Sequence, residues 1–528
     1  MFLIMSAAYV GQELESEFGK IPPSFLPLGN RRLFQHQIML APEGVRIYLS
    51  IPESYTISEI DLHWLEQHNV TIIPTPDKLT LGASLVAALN LSGHGLDEPL
   101  HILYGDTCYR ELPLGDDIVS TSIAENSYNW AVLTDDTAHW LKDDQQKSMG
   151  NANKIIDGYF KFSNPIELIK SVTRCQWNFI EGLNRYHKSV GLTPVVSEGW
   201  LDFGHVNTYY RSKAEFTTQR SFNELKITQH WVEKSSIKSD KITAEAHWFA
   251  NLPFELRGYI PQYLGSKEDK SKVSYRLEYL HLTALNELYV FSQLPSQTWT
   301  QVLSDCIEFL LSCYQHKAEL GQSVNSLDML FSQKTQQRLE EYCISQGYSL
   351  EKEWVFNGKS GISIGQILKD SDKFLPQSTR QACILHGDFC FSNILYDFRA
   401  GKIKTIDPRG MTPNGEKSLY GDIRYDIAKL SHSILGLYDW IIAGYYRVEV
   451  VDNNITFDIL VQSSNKDTQH KFIELIDEKF NLTAKHLYAM QIQLFLSMLP
   501  LHADDKQRQN ALFANVFRLH QILLRLDK

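Results

Sequence analysis

The stretch from Ile384 to Gly410 constrains the fold most, because it combines apolar segments with an ordered series of polar residues. It reads ILHGDFCFSNILYD, then a short charged turn, and then IKTIDPRG. Short apolar segments bounded by glycine and polar residues are typical of buried β-strands. The sequence therefore predicts two strands joined by a turn, with Asp388 and Asn393 in the loop before the first strand and Asp407 where the second strand ends.

The spacing of these three polar residues points to a particular chemistry. Phosphoryl transfer needs a carboxylate that orients the attacking hydroxyl and further ligands that hold Mg²⁺ on the nucleotide phosphates. Kinase sites supply an Asp, an Asn five residues later and an Asp on the next hairpin. Asp388, Asn393 and Asp407 match this order and spacing. An ordinary β-hairpin with a polar turn is the alternative, and the third carboxylate counts against it.

The longer pattern carries a family resemblance. H-G-D-x-x-x-x-N and I-D-P are followed by G-D-x-x-Y-D-x-A, which spans Gly421–Ala428. This series resembles the aminoglycoside phosphotransferase and choline kinase-like superfamily, and within it sugar kinases such as the fructosamine kinase-like enzymes. The resemblance implies that ATP is the phosphoryl donor, that Asp388 is the catalytic base and that Asn393 and Asp407 bind Mg²⁺. It implies as well that the two Asp residues of the last motif brace the catalytic loop.

Composition limits the partners and the location of the protein. The chain has 528 residues, 43% hydrophobic and 21% charged, as expected for a soluble globular protein of two or three domains. Its net charge of −11 offers no basic excess for nucleic acid. Seven cysteines without a C-x-x-C pair favour a reducing compartment. Without a signal peptide pattern or a long apolar run, we expect a cytoplasmic protein, not inserted in a membrane, that binds no nucleic acid; a homo-oligomer stays open.

The first hundred residues alternate between strand and helix patterns. Candidate strands cover Phe2–Ala8, Arg46–Ser50, Val70–Ile73 and His101–Tyr104, and a helical pattern covers Leu81–Leu91. This alternation predicts a doubly wound α/β sheet, whose ligands bind at the carboxyl ends of the strands. Asp106 and Asp202 both follow apolar strand patterns and are candidate metal ligands, with a common Gly-Asp turn as the alternative for Asp106.

Residues 1–222 resemble the sugar nucleotidyltransferase family, whose characteristic segments occur here in the same order. The matching segments are Ala7-Ala8 and Gly11, Pro23–Gly29, Gly82-Ala83-Ser84, Gly105-Asp106 and Trp200-x-Asp202-x-Gly204. The resemblance implies that Ala8, Gly11 and Gly82 contact a nucleoside triphosphate, which is CTP, UTP or another. It also implies that Asp106 and Asp202 hold the Mg²⁺ that bridges this triphosphate and a sugar phosphate.

Three positions depart from the nucleotidyltransferase pattern. Tyr9 stands where a glycine is usual, Glu13 where a catalytic arginine is usual, and Ser24 where a lysine is usual. Because those cations neutralise the triphosphate, a carboxylate in place of one of them is unfavourable. Nearby residues that could supply the missing charge are Lys20, Arg31, Arg32 and Lys213.

The pattern changes at residue 222, which predicts a second domain over 223–528 with a small lobe at 223–282 and a large lobe at 283–528. Kinase small lobes use a strand lysine to bind the α- and β-phosphates and a helix glutamate to hold it. Lys234 and Glu245 are the candidates, with solvated surface charges as the alternative. Glu278 and Tyr279 are the expected hinge beside adenine.

The predicted fold class is therefore α/β, with an N-terminal doubly wound, Rossmann-like nucleotidyltransferase domain and a C-terminal bilobal, protein-kinase-like α+β domain. In the first domain, Pro165–Tyr186 predicts one helix, and Trp130 and Trp177 are expected in the core, with stacking on a ligand as the alternative. In the second, the large lobe is expected to be mostly helical. Four of its residues are expected in the core or on the surface, with acceptor contact as the alternative: His432, Asp439, Trp440 and Tyr445.

Together the resemblances imply two consecutive steps. A kinase domain would phosphorylate a sugar, polyol or choline-type acceptor, and a nucleotidyltransferase domain would couple that phosphate to a nucleotide and release pyrophosphate. The product would be an activated precursor of a bacterial surface polysaccharide such as a capsule. In one alternative, favoured by Glu13 and Ser24, only the kinase is active and the first domain merely binds nucleotide or sugar phosphate. A non-catalytic scaffold is the other, and the intact set of Asp388, Asn393 and Asp407 disfavours it.

Overall fold

The structure is a computed structural model. It describes residues 1–527 except 124–127, 129, 135–139, 144–153, 221–224, 229, 238, 270–271, 320–326, 328, 360, 379 and 462–463. The chain divides into two compact units. The first comprises Met1–Lys213 and Phe291–Gln293, and the second comprises Ala214–Val290 and Leu294–Lys528. The predicted domain boundary between residues 222 and 223 lies outside the described residues.

The first unit is built on short strands and helices that alternate along the chain. Its strands are β1 (Phe2–Met5), β2 (Ile47–Pro52), β3 (Val70–Thr75), β4 (Leu100–Tyr104), β5 (Thr107–Tyr109), β6 (Ile118–Ile123), β7 (Ala131–Leu133), β8 (Leu141–Asp143), β9 (Lys154–Phe162), β10 (Thr193–Val196) and β11 (Trp200–Asp202). Its helices are α1 (Gln12–Phe18), α2 (Leu33–Ile38), α3 (Glu59–Gln67), α4 (Leu81–Leu91), α5 (Pro165–Arg174) and α6 (Phe179–Ser189). The next helix, α7 (Val206–Arg220), begins in the first unit and ends in the second.

Most of these strands form one mixed sheet. The strand order is β10-β6-β9-β4-β1-β2-β3, and β7 and β8 extend the sheet beside β9. The strand β1 is parallel to β2 and β4, whereas β9 is antiparallel to β4 and β6. Leu3 of β1 packs in a core with residues of α4, α5 and α6, while Ile4, on the opposite face, is equally buried. Both faces are therefore covered, which confirms the predicted doubly wound fold.

The predicted single helix over Pro165–Tyr186 is wrong, because the segment forms α5 and α6 with a turn between them. Gln176 and Trp177 have φ angles of 53° and 66° in this turn, a conformation that helical periodicity does not reveal. Asn178 then caps α6 by accepting a hydrogen bond from the Glu181 amide (3.1 Å). The turn leaves the Trp177 side chain 41% exposed.

The second unit contains a β-rich part followed by a mostly helical part. Its strands are β12 (Leu225–Ile227), β13 (Trp231–Ser236), β14 (Tyr263–Asp269), β15 (Lys272–Glu278), β16 (Thr283–Ala284), β17 (Glu353–Phe356), β18 (Ile362–Ser363), β19 (Cys383–Ile384), β20 (Ile394–Asp397), β21 (Lys402–Thr405), β22 (Tyr420–Gly421), β23 (Tyr446–Val451) and β24 (Asn454–Ile459). Its helices are α8 (Ser239–Asn251), α9 (Leu285–Phe291), α10 (Ser296–Gln315), α11 (Lys334–Gln346), α12 (Ile364–Lys373), α13 (Ile423–Ile434), α14 (Tyr438–Ile442), α15 (Ser464–Phe480), α16 (Ala484–Met498) and α17 (Lys506–Leu526).

The β-rich part is an antiparallel sheet in the order β12-β13-β15-β14. Helix α8 packs on this sheet, where the Phe249 ring lies 5.8 Å from that of Tyr275. The helical part contains the predicted hairpin, in which Ile394 of β20 pairs with Thr405 of β21. This arrangement matches the predicted bilobal α+β organisation. In the described part of the chain, no helix combines the length and the apolar character needed to cross a bilayer.

Candidate active sites

The loop between β19 and β20 places Asp388 and Asn393 side by side. The chain leaves β19 through Gly387, whose φ of 80° favours glycine. A 3₁₀ turn over Phe391–Asn393 then returns the Asn393 amide to Asp388. Asn393 Nδ2 donates to the Asp388 carbonyl oxygen (2.9 Å) and to its carboxylate Oδ2 (3.2 Å). The five-residue spacing is therefore the length of one closed turn.

Asp426 of α13 holds this loop through two backbone hydrogen bonds. Its Oδ2 accepts from the His386 amide (2.7 Å) and its Oδ1 from the Gly387 amide (2.8 Å). The His386 ring in turn lies 3.0 Å, Nε2 to O, from the carbonyl of Ile406. This contact ties the loop to the end of β21, next to Asp407.

Asp422 has a local structural role, as expected, and it supports the catalytic loop only through the helix that carries Asp426. It is the N-cap of α13, where its Oδ1 accepts from the Arg424 amide (3.0 Å). The same carboxylate forms a buried ion pair with the Arg424 guanidinium. Asp422 therefore stabilises the start of the helix that carries Asp426.

Lys234 of β13 connects Glu245 of α8 with Asp407. Its Nζ lies 2.8 Å from Glu245 Oε2 and 3.2 Å from Asp407 Oδ1. The buried Glu245 carboxylate is fixed by a second hydrogen bond, which Tyr275 donates (2.7 Å). Burial alone would lower the pKa of Lys234, but Asp407 and Glu245 outweigh it and raise this pKa. The predicted strand lysine and helix glutamate are therefore paired, and the lysine stays charged.

Lys429 of α13 forms an ion pair with Asp388, with 2.8 Å between Nζ and Oδ1. Burial alone would raise the pKa of Asp388, but Lys429, followed by Arg409, lowers it to about 2. Although desolvation opposes the charge of Lys429, Asp388 raises the pKa of this lysine above its ordinary value. Asp388 is therefore ionised at neutral pH. Its side chain is still 37% exposed, so it can accept a hydrogen bond from an incoming hydroxyl.

Asn393 and Asp407 fit a Mg²⁺ ion bound mainly by nucleotide phosphates. The Asp407 side chain is 47% exposed at the end of β21. Asn393 uses its side-chain nitrogen, Nδ2, to bind Asp388. Its side-chain oxygen, Oδ1, has a long contact of 3.5 Å with Ser392 Oγ. No group of three or more His, Cys, Asp or Glu suited to a metal occurs among the described residues. Mg²⁺ typically takes one or two protein carboxylates and completes its shell with phosphates and water.

Glu278 and Tyr279 lie at the end of β15, at the predicted hinge. The Glu278 amide donates to the Gln262 carbonyl oxygen (2.9 Å), and the Tyr279 amide donates to that of His230 (3.0 Å). Both amides are therefore engaged within the chain. A role of these two residues in adenine binding stays a prediction.

The sequence interpretation missed Arg409, Tyr425 and Lys429, which surround Asp388. Tyr425 and Lys429 lie four residues apart on α13, and Asp426 lies between them, so the helix presents all three within one turn. That spacing was a usable signal. The four candidates for acceptor contact are instead buried, as expected for core residues: His432, Asp439, Trp440 and Tyr445.

In the first unit, the antiparallel pair of β5 and β11 brings Asp106 and Asp202 together. Asp202 is opposite Thr107 in this ladder, and the Phe203 amide donates to the Asp106 carbonyl oxygen (2.8 Å). A Cβ added to Gly204 would lie 2.8 Å from Asp106 Oδ2 and 3.3 Å from Asp202 Oδ1. Glycine at this position therefore leaves room for both carboxylates.

The two carboxylates have no lysine or arginine to balance them in the described part of the chain. Burial, followed by the charge of Asp202, raises the pKa of Asp106 to about 7. Burial also raises the pKa of Asp202, whose Oδ2 is buried and lacks a hydrogen-bond partner. Two buried acids in this state fit a divalent cation, which would supply the missing positive charge.

A cavity of about 610 Å³ lies beside these carboxylates, and Gly82, Trp130, Asp157 and Trp177 are among its lining residues. Both tryptophans line this cavity, which favours the alternative of ligand stacking over the expected core positions. Gly82 lies where a Cβ would be 2.3 Å from the Trp177 carbonyl oxygen, so the α5–α6 turn closes against this glycine.

Ala8 and Gly11, the other candidate nucleotide-binding residues, are exposed near the start of α1 and are not part of the cavity lining. A Cβ added to Gly11 would have no heavy atom within 4 Å, so space is open beside this glycine. Contact of Ala8 and Gly11 with a triphosphate stays a prediction. Glu13 is exposed on the first turn of α1.

Ser24, which replaces the usual lysine, and Arg32, a candidate substitute cation, both lie in the interior of the first unit. Ser24 is fully buried, and its Oγ donates to the Gly105 carbonyl oxygen (3.2 Å). Arg32 is also buried, and its Nε lies 3.3 Å from Asp61 Oδ2. The expectation that Arg32 could neutralise a triphosphate is therefore wrong.

No protein-family model and no curated protein sequence matches the chain. Among solved structures, a thermostable mutant of aminoglycoside phosphotransferase APH(4)-Ia with ADP and hygromycin B is 15% identical, over 59% of this chain and 97% of that chain, with a TM-score of 0.35. The inositol-1-phosphate CTP transferase from T. maritima is 12% identical, over 41% and 95%, with a TM-score of 0.31. A glucosamine kinase is 13% identical, over 58% and 74%, with a TM-score of 0.27.

Proposed function

We propose that the second unit is an ATP-dependent kinase that phosphorylates a hydroxyl of a small molecule. The observation that carries this proposal is the bridge of Lys234 to Glu245 and Asp407, at the same site as the Asp388–Asn393 turn. A strand lysine held by a helix glutamate, a carboxylate ready for a hydroxyl, and an Asn and an Asp suited to Mg²⁺ are the parts that phosphoryl transfer uses.

In this mechanism the protein mainly positions the reactants. Lys234 binds the α- and β-phosphates of ATP, and Glu245 keeps its ammonium group in place. Asp388 accepts a hydrogen bond from the acceptor hydroxyl and orients its oxygen for in-line attack. Its carboxylate, held ionised by Lys429, takes up the hydroxyl proton as the bond to phosphorus forms. Asn393 and Asp407 would hold Mg²⁺, which would neutralise phosphate charge.

We also propose that the first unit is a nucleotidyltransferase that uses the phosphorylated product. Asp106 and Asp202 would bind Mg²⁺ together with CTP, UTP or another nucleoside triphosphate, and the adjacent cavity would hold the sugar or polyol phosphate. The attacking phosphate oxygen would form a bond to the α-phosphorus while pyrophosphate leaves. The resulting nucleotide-activated compound suits the synthesis of a surface polysaccharide such as a capsule.

A second candidate keeps the kinase but makes the first unit a binding module without activity. The cavity lining supports it, because the lining includes Asp106, Asp157 and Asp202 but no lysine or arginine among the described residues. With its histidine neutral, that lining would offer a triphosphate only negative side-chain charge, apart from any bound cation. Ser24, buried where the family has a lysine, adds to this observation.

One experiment tests both candidates. The full chain is incubated with ATP, Mg²⁺ and a panel of hydroxyl acceptors, with and without CTP, UTP or GTP, and the products are identified by mass spectrometry. A phosphorylated acceptor plus a nucleotide-linked product supports the two-step enzyme. A phosphorylated acceptor without pyrophosphate release, for every nucleotide and sugar phosphate tried, supports the binding module. ATP that is not consumed with any acceptor contradicts the kinase.

A further inference from the structure

A basic cluster lies next to Asp388. It consists of Lys334 at the start of α11, Arg409 after β21 and Lys429 on α13, all of which act electrostatically on the phenol of Tyr425. The Arg409 Cζ lies 5.4 Å from the centroid of the Tyr425 ring. The cluster is thus formed by three separate segments of the second unit around one tyrosine.

Among the described residues, one member of this basic cluster forms an ion pair: Lys429 pairs with Asp388. Tyr425, and with it Asp388 and Asp426, also acts on Arg409 and contributes to raising its pKa. Asp426 additionally accepts two backbone hydrogen bonds. Three basic groups therefore face two carboxylates.

Partial burial makes this excess of positive charge unfavourable. Desolvation, followed by Arg409 and other cations nearby, lowers the pKa of Lys334. Burial would raise the pKa of Tyr425, but Arg409, Lys429 and Lys334 together lower it to about 8. Like charges that are held together away from water are stabilised when an anion joins them. The cluster has the character of a site that lacks its anion.

A small cavity of about 30 Å³ adjoins the cluster. Gly387, Arg409, Met411 and Tyr425 are among its lining residues, as is Asp422, whose carboxylate is paired with Arg424. Asp388 is the residue directly after Gly387. A space of this size holds a group of about one water molecule. A carboxylate or phosphate oxygen at Arg409 would therefore lie close to a hydroxyl at Asp388.

We propose that the phosphoryl acceptor is itself an anion, a hydroxyl compound whose carboxylate or phosphate group is bound by Arg409 and Lys334 while its hydroxyl meets Asp388. The guanidinium of Arg409 offers paired donors that match either group. This inference rests on the proposed kinase function and narrows it. It removes choline-type and aminosugar acceptors from the candidates, because their cationic groups would be repelled.

The test is an acceptor panel with the full chain, ATP and Mg²⁺. Glycerate represents hydroxy acids, glycerol phosphate and a hexose monophosphate represent phosphates, glycerol and a neutral hexose are uncharged, and choline and glucosamine are cationic. We expect turnover with at least one anionic acceptor and with neither cationic one, and the two anionic arms identify the group. Turnover that is equal or faster with a neutral or cationic acceptor overturns the inference but leaves the kinase intact. If no compound is turned over, thermal stabilisation of the chain by glycerate or glycerol phosphate decides, and its absence overturns the inference.

Variants locate the anion. Arg409→Gln and Lys334→Gln should each raise the KM for the anionic acceptor roughly 10- to 100-fold, as for a lost hydrogen bond to a charged group. The KM for ATP should stay unchanged, and Arg409→Lys should recover part of the loss. Arg399→Gln, at an exposed arginine in the β20–β21 turn, is the matched control. An equal effect on both KM values, or an unchanged acceptor KM in both variants, contradicts the assignment.

Discussion

The two units each place acidic side chains at a candidate site, but they handle the negative charge in opposite ways. Asp388 has a lysine ammonium 2.8 Å away, and its pKa is lowered to about 2. Asp106 is buried against Asp202 without a lysine or arginine partner among the described residues, and its pKa is raised to about 7. The second unit therefore supplies its own counter-charge, whereas the first unit must take one from solution.

This difference explains how the same residue type can serve two purposes. A carboxylate balanced by a lysine can meet a neutral hydroxyl without first binding an ion, as a residue that orients a nucleophile must. A pair of unbalanced carboxylates gains from binding a divalent cation, as ligands must. The two sites should therefore respond differently to removal of one acid and to Mg²⁺.

The largest effect is expected from Asp388→Asn. The amide keeps the size of the side chain but cannot take up the proton of the acceptor, so the rate of ATP-dependent phosphorylation should fall on the order of 10²- to 10⁴-fold. Steady-state kinetics with a productive acceptor measures the loss. Asp458→Asn, at an exposed acid of β24, is the control and should retain full activity. A folded Asp388→Asn protein with unchanged turnover would rule out the proposed role.

Lys234→Met should have the next largest effect. The variant removes the cation that links Glu245 and Asp407 and leaves the Glu245 carboxylate buried with only Tyr275 and the more distant Lys241 as partners. We expect a loss on the order of 10²-fold in kcat/KM for ATP, as for other charge-stabilising groups at a transition state. Calorimetric titration with a non-hydrolysable ATP analogue separates binding from chemistry. Unchanged ATP affinity and turnover would show that the pair is only structural.

The residues of the second unit's site that were predicted from the sequence are those that lie close to one another in the sequence. Asp388, Asn393 and Asp407 belong to one turn and one hairpin, so their spacing alone determines their neighbourhood. Lys234 and Glu245 follow each other as strand and helix, and the known roles of that order made them recognisable. Spacing could therefore predict which of these residues lie together, while their roles stay predictions.

The rest depended on contacts between distant segments. Arg409, Lys334 and Lys429 meet only in the folded unit, and no local pattern in the sequence distinguishes Arg409 or Lys334 from an ordinary surface charge. Arg32 shows the opposite case. The sequence suggested that it could neutralise a triphosphate, but it is buried and paired with Asp61. The α5–α6 turn contains no glycine or proline, so nothing in the local sequence marks the positive φ of Trp177.

Asp202→Asn tests the unbalanced pair through stability. Because burial and Asp202 raise the folded-state pKa of Asp106 above its unfolded value near 4, the folded state holds more protons between those values. Stability is therefore lost as pH rises toward and through 7. Removing the Asp202 charge should reduce that loss and raise the melting temperature at pH 8 by a few degrees. Thermal unfolding at pH 5 and pH 8 measures the change.

The same thermal unfolding measurement is repeated with Mg²⁺. It should stabilise the natural chain at pH 8 but have a much smaller effect on Asp202→Asn, since one ligand is gone. Asp97→Asn, at an exposed acid of the same unit, should change neither result. Equal stabilisation of all three proteins by Mg²⁺ would place the ion elsewhere.

The last effect concerns space rather than charge at the first site, and it compares two glycines. A Cβ at Gly82 would lie 2.3 Å from the Trp177 carbonyl oxygen and 2.9 Å from Val172, so Gly82→Ala must displace the α5–α6 turn at a cost of roughly 1–3 kcal/mol. Gly11 has open space and a φ of −64°, so Gly11→Ala should leave stability unchanged. Chemical denaturation of both variants measures the difference. Because Trp177 lines the cavity, Gly82→Ala should also weaken ligand binding there. If nucleotide binding is lost in Gly11→Ala and not in Gly82→Ala, the triphosphate lies beside α1, outside the cavity.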